Sequence, residues 1–319
     1  IFLDDRMLER VTSGAWLPIE AVLEQIAVPV RAPHFIFHQG HTGSTLVSRL
    51  LDGLGGFGLR EPAVLTEIAA LYDRVGYPDA LCARDGLDRF LRIMMHVWGR
   101  TFREGAVPIV KATSHAGRIG AEALQLSPQS RAIALSLRPE RYLATLLAGQ
   151  NSKVDLRGFA QERMRRCVRL FGEVSAPLHA LSPGELAAMT WLVERASQVR
   201  YLANVVLAPR ALDIDFDDFL SQPETQLLRI AAHFGVPAQA EAARAVLDGP
   251  IMRHYSKAPE LAYTPLQRRL GLERARLEHG DEIRRGLAWL DQVGIRSAEA
   301  AGGLAERRAL HRPQPRAAA

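Results

Sequence analysis

Apolar positions along this chain follow two alternating rhythms. Short unbroken apolar runs are separated by longer stretches in which apolar residues recur every three or four positions. The first rhythm predicts buried strands and the second predicts amphipathic helices. Residues 33–38, PHFIFH, form the first run and end in a glycine-containing turn. A helix is predicted over 44–54, with Leu46, Val47, Leu50, Leu51 and Leu54 on one stripe. GFGLREP then predicts a second strand, stopped at Pro62. Helical patterns cover 63–75 and 86–102. VPIVKA (107–112) and RAIALSLR (131–138) predict the third and fourth strands. Helices follow from Pro139 to about Leu147, over 156–170 and over 185–203, the last with Leu186, Met189, Val193, Ala196 and Val199 at helical spacing. VVLAP and ALDIDF predict a fifth strand region, and a capped helix runs on through His233.

Strands that alternate with helices of this length imply βαβ units and a parallel sheet flanked by helices, an α/β fold. In such sheets ligands bind beyond the carboxyl ends of the strands. No internal repeat is present. The organisation expected is a helical lead-in over 1–30, one α/β domain over 31–302 with helical additions within about 155–203, and a disordered tail over 303–319.

Composition changes this picture little. Of 319 residues, 48% are hydrophobic and 24% charged, which is ordinary for a globular chain. No stretch approaches the roughly 18 uninterrupted apolar residues of a membrane span. The first residues carry acids and no basic stretch, unlike a secretory signal. Cys82 and Cys167 show no metal-ligand spacing and are too few for a disulfide framework, so a cytoplasmic protein is expected. The formal charge of +5 suits an anionic ligand. Without a concentrated basic block interleaved with aromatics, nucleic acid is not the expected partner.

The most informative segment follows the first strand: Gly40-His41-Thr42-Gly43-Ser44-Thr45-Leu46, opening the predicted helix. The first N–H groups of a helix have no internal partners and carry the positive end of its dipole. Glycines let that backbone approach an anion, and Ser44 and Thr45 add hydroxyl donors. A plain strand–turn–helix with a Ser or Thr N-cap would use the same residues. An ATP- or GTP-binding loop would place Lys after its last glycine, and here Ser44 stands there. G-x-G-x-x-G is also absent.

The turn resembles the 5′-phosphosulfate loop of the sulfotransferase family, a basic residue followed by Ser-Gly-[ST]-[ST]. His41 stands where that family usually has Arg or Lys, and Thr42-Gly43-Ser44-Thr45 follows the pattern. Arg138-Pro139, with Thr145 seven residues after the Arg, is similar to the family's 3′-phosphate element. That element normally has a Ser about eight residues after its Arg. Glu61 resembles the general base of several branches. Lys111, in VKATSHAG, resembles a Lys that stabilises charge on the sulfonate, and His115 is the rival base. Residues 214–237 are similar to a late structural segment of the family, while Arg253 and Lys257 fall in a stretch that could close over a nucleotide.

The resemblance covers roughly residues 33–260 and implies a P-loop NTPase-like, three-layer α/β fold. It also implies transfer of a sulfuryl group from 3′-phosphoadenylyl sulfate (PAPS) to a hydroxyl or amine, releasing adenosine 3′,5′-bisphosphate without a metal. The acceptor could be a small molecule, glycan, lipid or peptide. The alternatives are a small-molecule kinase with a degenerate P-loop and a catalytically silent domain of the same fold.

Overall fold

The computed structural model describes residues 2–3, 17–18, 21–22, 24, 31–172, 176–255 and 258–310, with backbone alone at 150–151, 255, 258–261 and 295–310. The chain divides into two compact units, 1–138 with 194–270 and 139–193 with 271–319. Of the stretch where helical additions were expected, about 155–203, residues 155–193 fall in the second unit and 194–203 in the first.

The first unit is built on five parallel strands: β1 (His34–His38), β2 (Gly56–Arg60), β3 (Val107–Lys111), β4 (Ala132–Ser136) and β5 (Ala211–Asp215). Their order is β2-β3-β1-β4-β5. All five residues of β3 and of β4 are buried, as expected of parallel strands covered on both faces. The register pairs Arg60 with Lys111, Ile36 with Lys111, His38 with Leu135 and Ser136 with Asp215. The carboxyl ends therefore form one row with β1 at its centre. β1 is also where the connections diverge, toward β3 and β2 on one side and β4 and β5 on the other, the position where α/β sheets hold ligands.

Helix α1 (Ser44–Gly53) leads from β1 to β2 and buries Val47, Leu50 and Leu51. Helices α2 (Ala63–Arg74) and α3 (Arg84–Trp98) pack Leu65, Ile68, Leu91, Met95 and Trp98 with Phe35 and Phe37 of β1 into one core. A 3-10 turn (Ser114–Ile119) and α4 (Gly120–Leu126) join β3 to β4. At the chain's start, Leu3 N–H donates to the Arg60 carbonyl at 2.8 Å, so this part of the expected helical lead-in lies extended beside β2.

The second unit contains α5 (Pro139–Ala148), α6 (Gln150–Gly158) and α7 (Ala160–Phe171). One helix was expected over 156–170; the structure breaks it at Phe159, whose φ/ψ of −103° and 7° leaves the helical basin. Arg163 is wholly buried and held by Asp155 at 2.8 Å, a pairing that a buried guanidinium requires. Helix α8 (Pro183–Leu202) has residues in both units. Its expected stripe is only partly right: Met189 and Val193 are buried, but Val199 is 43% exposed. Glu194, Ser197 and Gln198 are buried instead, and Gln198 donates to the Leu135 carbonyl at 3.2 Å.

VVLAP is not a strand. The Asn204 carboxamide oxygen accepts the N–H groups of Val206 and Leu207 at 3.0 and 3.2 Å, an Asx turn that replaces a strand's pairing. Val205 and Val206 are left exposed. Beyond β5 the single helix expected is two, α9 (Phe216–Ser221) and α10 (Pro223–Phe234), divided where Pro223 begins the second. Gly235 caps α10 with φ 69°, the left-handed cap expected of it. Helix α11 (Ala240–Asp248), a 3-10 turn (Pro250–Arg253) and a two-stranded ribbon, β6 (His254–Tyr255) and β7 (Ala258–Ala262), lead into α12 (Pro265–Leu310). Helix α12 is interrupted at His279. The tail expected from residue 303 is thus helical to Leu310, and residues 311–319 lie outside those described. Among the described residues no helix is long and apolar enough to cross a membrane.

Candidate functional site

Every residue of the candidate loop lies just past the end of β1. His38, the last residue of that strand, is buried and sets the loop's course. Its Nε2 lies 2.8 Å from the Ala112 carbonyl, and its Nδ1 accepts the Gly40 N–H at 2.9 Å. These contacts make it the Nε2–H tautomer, with both ring nitrogens used. Gln39 supplies the opposite stitch. Its N–H reaches the Leu135 carbonyl at 3.3 Å, and its side-chain oxygen accepts the Leu137 N–H at 3.1 Å. The loop is thereby tied to the strands on both sides of β1. Neither residue carries a motif, and only their position beside the glycines could have drawn attention to them.

The backbone then turns through positive φ at Gly40 (87°), His41 (54°) and Gly43 (71°). Gly43 is the N-cap of α1, and no side chain caps that helix. The Ser or Thr cap of an ordinary strand–turn–helix is therefore not formed. Gly43 is also constrained by its neighbour: a Cβ there would stand 2.0 Å from Cζ of Phe216, the first residue of α9. The Phe216 ring lies directly against the turn.

Thr42 and Thr45 are buried, at 0% and 3% exposure, and their hydroxyls have no hydrogen-bond partner among the described residues. Leaving such groups unmade in the folded protein costs about 1–3 kcal/mol each. An uncapped helix start with two unsatisfied hydroxyls fits an anionic group. Ser44 is buried in the same turn, Leu46 is half-buried, and His41 is exposed.

Glu61 and Lys111 are brought together directly. Arg60 and Lys111 are register partners on β2 and β3. Glu61, with φ 53°, turns out of the sheet so that its N–H meets the Lys111 carbonyl at 2.7 Å and its Oε1 pairs with Lys111 Nζ. The Lys111 side chain is fully buried and that of Glu61 is 13% exposed. Beyond β3, the Thr113 hydroxyl lies 3.0 Å from that of Thr66 on α2. His115 sits half-buried in the following 3-10 turn, where its carbonyl accepts from Arg118.

Arg138 lies two residues past β4, is exposed, and has no hydrogen bond or ion pair to another described residue. Thr145 lies on α5, in the second unit, and its hydroxyl donates to the Arg141 carbonyl at 2.8 Å. Arg253 ends the 3-10 turn that packs on α1, and its guanidinium donates to the Asp248 carbonyl at 3.0 Å. Lys257 lies outside the described residues. Asp215, not singled out by sequence, caps α9 by accepting the N–H groups of Asp217 and Asp218 at 2.8 and 3.2 Å. Among the described residues no cluster of three or more His, Cys, Asp or Glu side chains is placed to hold a metal ion.

No protein-family model matches this chain, and no curated protein sequence matches it. Several solved structures are similar to it. The sulfotransferase domain from the curacin biosynthetic pathway is 17% identical, covers 73% of this chain and 84% of its own, and has a TM-score of 0.42. Sulfotransferase STF9 from Mycobacterium avium is 14% identical over 83% of this chain and 81% of its own, with a TM-score of 0.45. The sulfotransferase domain of the Synechococcus PCC 7002 olefin synthase is 17% identical over 76% of this chain and 95% of its own, with a TM-score of 0.40.

Proposed function

We propose that this protein transfers a sulfuryl group from PAPS to the hydroxyl or amine of an acceptor. The observation that carries the reading is the Glu61–Lys111 pair, at the carboxyl ends of β2 and β3 and in the same row as the uncapped loop of β1. A carboxylate and an ammonium held together beside an anion-binding turn are the two charges that sulfuryl transfer needs.

The turn from His41 to Leu46 would hold the donor's phosphosulfate through its backbone N–H groups and the hydroxyls of Thr42, Ser44 and Thr45. PAPS supplies the activated sulfuryl group. Glu61 takes the proton of the acceptor as the acceptor's oxygen or nitrogen bonds to sulfur. Lys111 stabilises the negative charge that gathers on the bridging oxygen as the sulfur–oxygen bond to phosphate breaks. The electron pair of that bond leaves with adenosine 3′,5′-bisphosphate, so atoms and charge balance without a redox step. Arg138, exposed past β4 with an uncommitted guanidinium, is the group offered to the 3′-phosphate. Thr145, the expected partner of that phosphate, donates its hydroxyl to the Arg141 carbonyl within α5, a bond it would exchange for one to phosphate.

The kinase alternative lacks the lysine that would reach a triphosphate tail, because Ser44 follows Gly43 directly. Calorimetry tests the proposal. Adenosine 3′,5′-bisphosphate is expected to bind with micromolar strength in the absence of magnesium, and a preference for magnesium-ATP would refute it. A mass gain of about 80 daltons on an acceptor, the mass of one sulfuryl group, then separates an active enzyme from a silent binding domain.

A further inference from the structure

Arg268 stands in the first turns of α12, far in sequence from every motif described above, yet it reaches the same turn through one aromatic ring. Its guanidinium carbon lies 5.3 Å from the centroid of Phe216, the ring packed against Gly43. Its Nη1 pairs with Asp217 Oδ1 at 2.8 Å, and both side chains are largely buried, at 17% and 16% exposure. Its Nη2 is buried and has no hydrogen-bond partner among the described residues. A guanidinium presents its donors as a planar fork. One edge of this fork is held by Asp217, and a donor on Nη2 is left unmade at a cost that an anionic partner would remove.

The loop itself has a matching deficiency. Its only basic side chain is His41, which is exposed and offers an imidazole in place of a guanidinium or ammonium. Within the loop itself a doubly charged group meets only N–H dipoles, hydroxyls and that imidazole, and the ammonium of Lys111 on β3 is shared with Glu61. Phe216 touches both Gly43 of the loop and the Arg268 guanidinium, in a partly buried setting where screening is weak.

We infer that Arg268 is an anion-binding residue of the loop site: it supplies the permanent positive charge that His41 does not, and Asp217 and Phe216 hold it in position. The inference rests on the donor reading above and names the residue on which affinity for the donor's anionic end depends. It also fixes the direction of an asymmetry between Arg268 and its carboxylate partner. Removing the cation weakens anion binding, whereas neutralising Asp217 removes a competing negative charge and leaves binding equal or tighter. A purely structural arginine would show no such asymmetry, with both changes loosening Phe216 in the same way.

The test uses the full chain with adenosine 3′,5′-bisphosphate and inorganic pyrophosphate as probes, by calorimetry alongside thermal melting. Arg268→Gln is expected to weaken both probes about tenfold or more at low salt, with the gap narrowing as salt rises to about 0.5 M. Arg268→Lys is expected to recover part of the loss, and Asp217→Asn to bind at least as tightly as the wild type. Unchanged affinity in Arg268→Gln overturns the inference. So does equal weakening in Asp217→Asn, which would make the pair a scaffold for Phe216 only. If Arg268→Gln melts too early to measure, the Asp217→Asn and Arg268→Lys affinities still decide. Failure of the wild type to bind either probe would instead remove the donor reading itself.

Discussion

Glu61 and Lys111 hold each other twice, once through the 2.7 Å bond from the Glu61 amide to the Lys111 carbonyl and once through their charged side chains. The backbone bond places the carboxylate, and the carboxylate in turn gives a fully buried ammonium the partner it requires. Glu61→Gln keeps the shape and the main-chain bond but removes the proton acceptor. Transfer is expected to fall by at least about 100-fold, the usual contribution of a positioned base. Bisphosphate affinity should stay within a few-fold. Turnover and calorimetry on one preparation check this, and near-normal turnover would hand the base role to His115 or another group.

Arg138 is free to meet a ligand, so its loss should leave the fold intact. Arg138→Ala is expected to weaken adenosine 3′,5′-bisphosphate by about 2 kcal/mol, the size of a charged hydrogen bond to phosphate. The melting temperature should not change. Adenosine 5′-phosphate, which lacks the 3′ group, should bind the variant and the wild type alike. Equal weakening of both nucleotides would show that Arg138 serves some other part of the ligand.

Gly43 is required by its left-handed φ and by the ring of Phe216, 2.0 Å from where a Cβ would stand. Gly43→Ala should cost more than about 2 kcal/mol, because both the backbone and the ring would have to move. Denaturant unfolding measures the cost. A variant of unchanged stability would show that Phe216 swings away freely.

His34, at the opposite end of β1, predicts a pH response independent of the site. Its Nδ1 accepts the Arg131 N–H at 3.1 Å and its ring stacks on Phe234. Burial, and then the charges of Arg131 and His233, push its pKa from 6.5 down to about 4. As pH falls below 6.5 the unfolded chain takes up the proton first, so stability is lost between about pH 6.5 and 4 and this loss levels off below that. The loss from this residue is at most about 3 kcal/mol. His233, also lowered chiefly by burial, acts in the same direction. Urea unfolding at stepped pH should show a shallower decline in His34→Phe than in the wild type. Parallel declines would remove His34 as the cause.

The sheet was legible in the sequence because parallel strands are covered on both faces and leave apolar runs such as AIALS and FIF. The turn was legible because two glycines stand between an apolar run and the start of a helical pattern. Breaks inside helices were harder to see. The apolar spacing runs unchanged past Phe159, and only the backbone there departs from the helix. VVLAP has the composition of a strand, yet one Asn204 carboxamide diverts it. Contacts between distant positions leave no local trace at all. The stitches made by His38 and Gln39, the Phe216 ring on Gly43 and the reach of Arg268 exist only once the strands are aligned.

The left-handed backbone at residue 61 sets two demands that no single amino acid meets fully. A φ near 53° suits glycine, asparagine or aspartate better than glutamate. Glycine and asparagine offer no carboxylate, and aspartate is one methylene shorter than the chain that now meets Lys111. Substitutions that ease the main chain at this position also strip buried Lys111 of its partner, so glycine or asparagine there is expected to lose more stability from the stranded ammonium than the relaxed backbone returns.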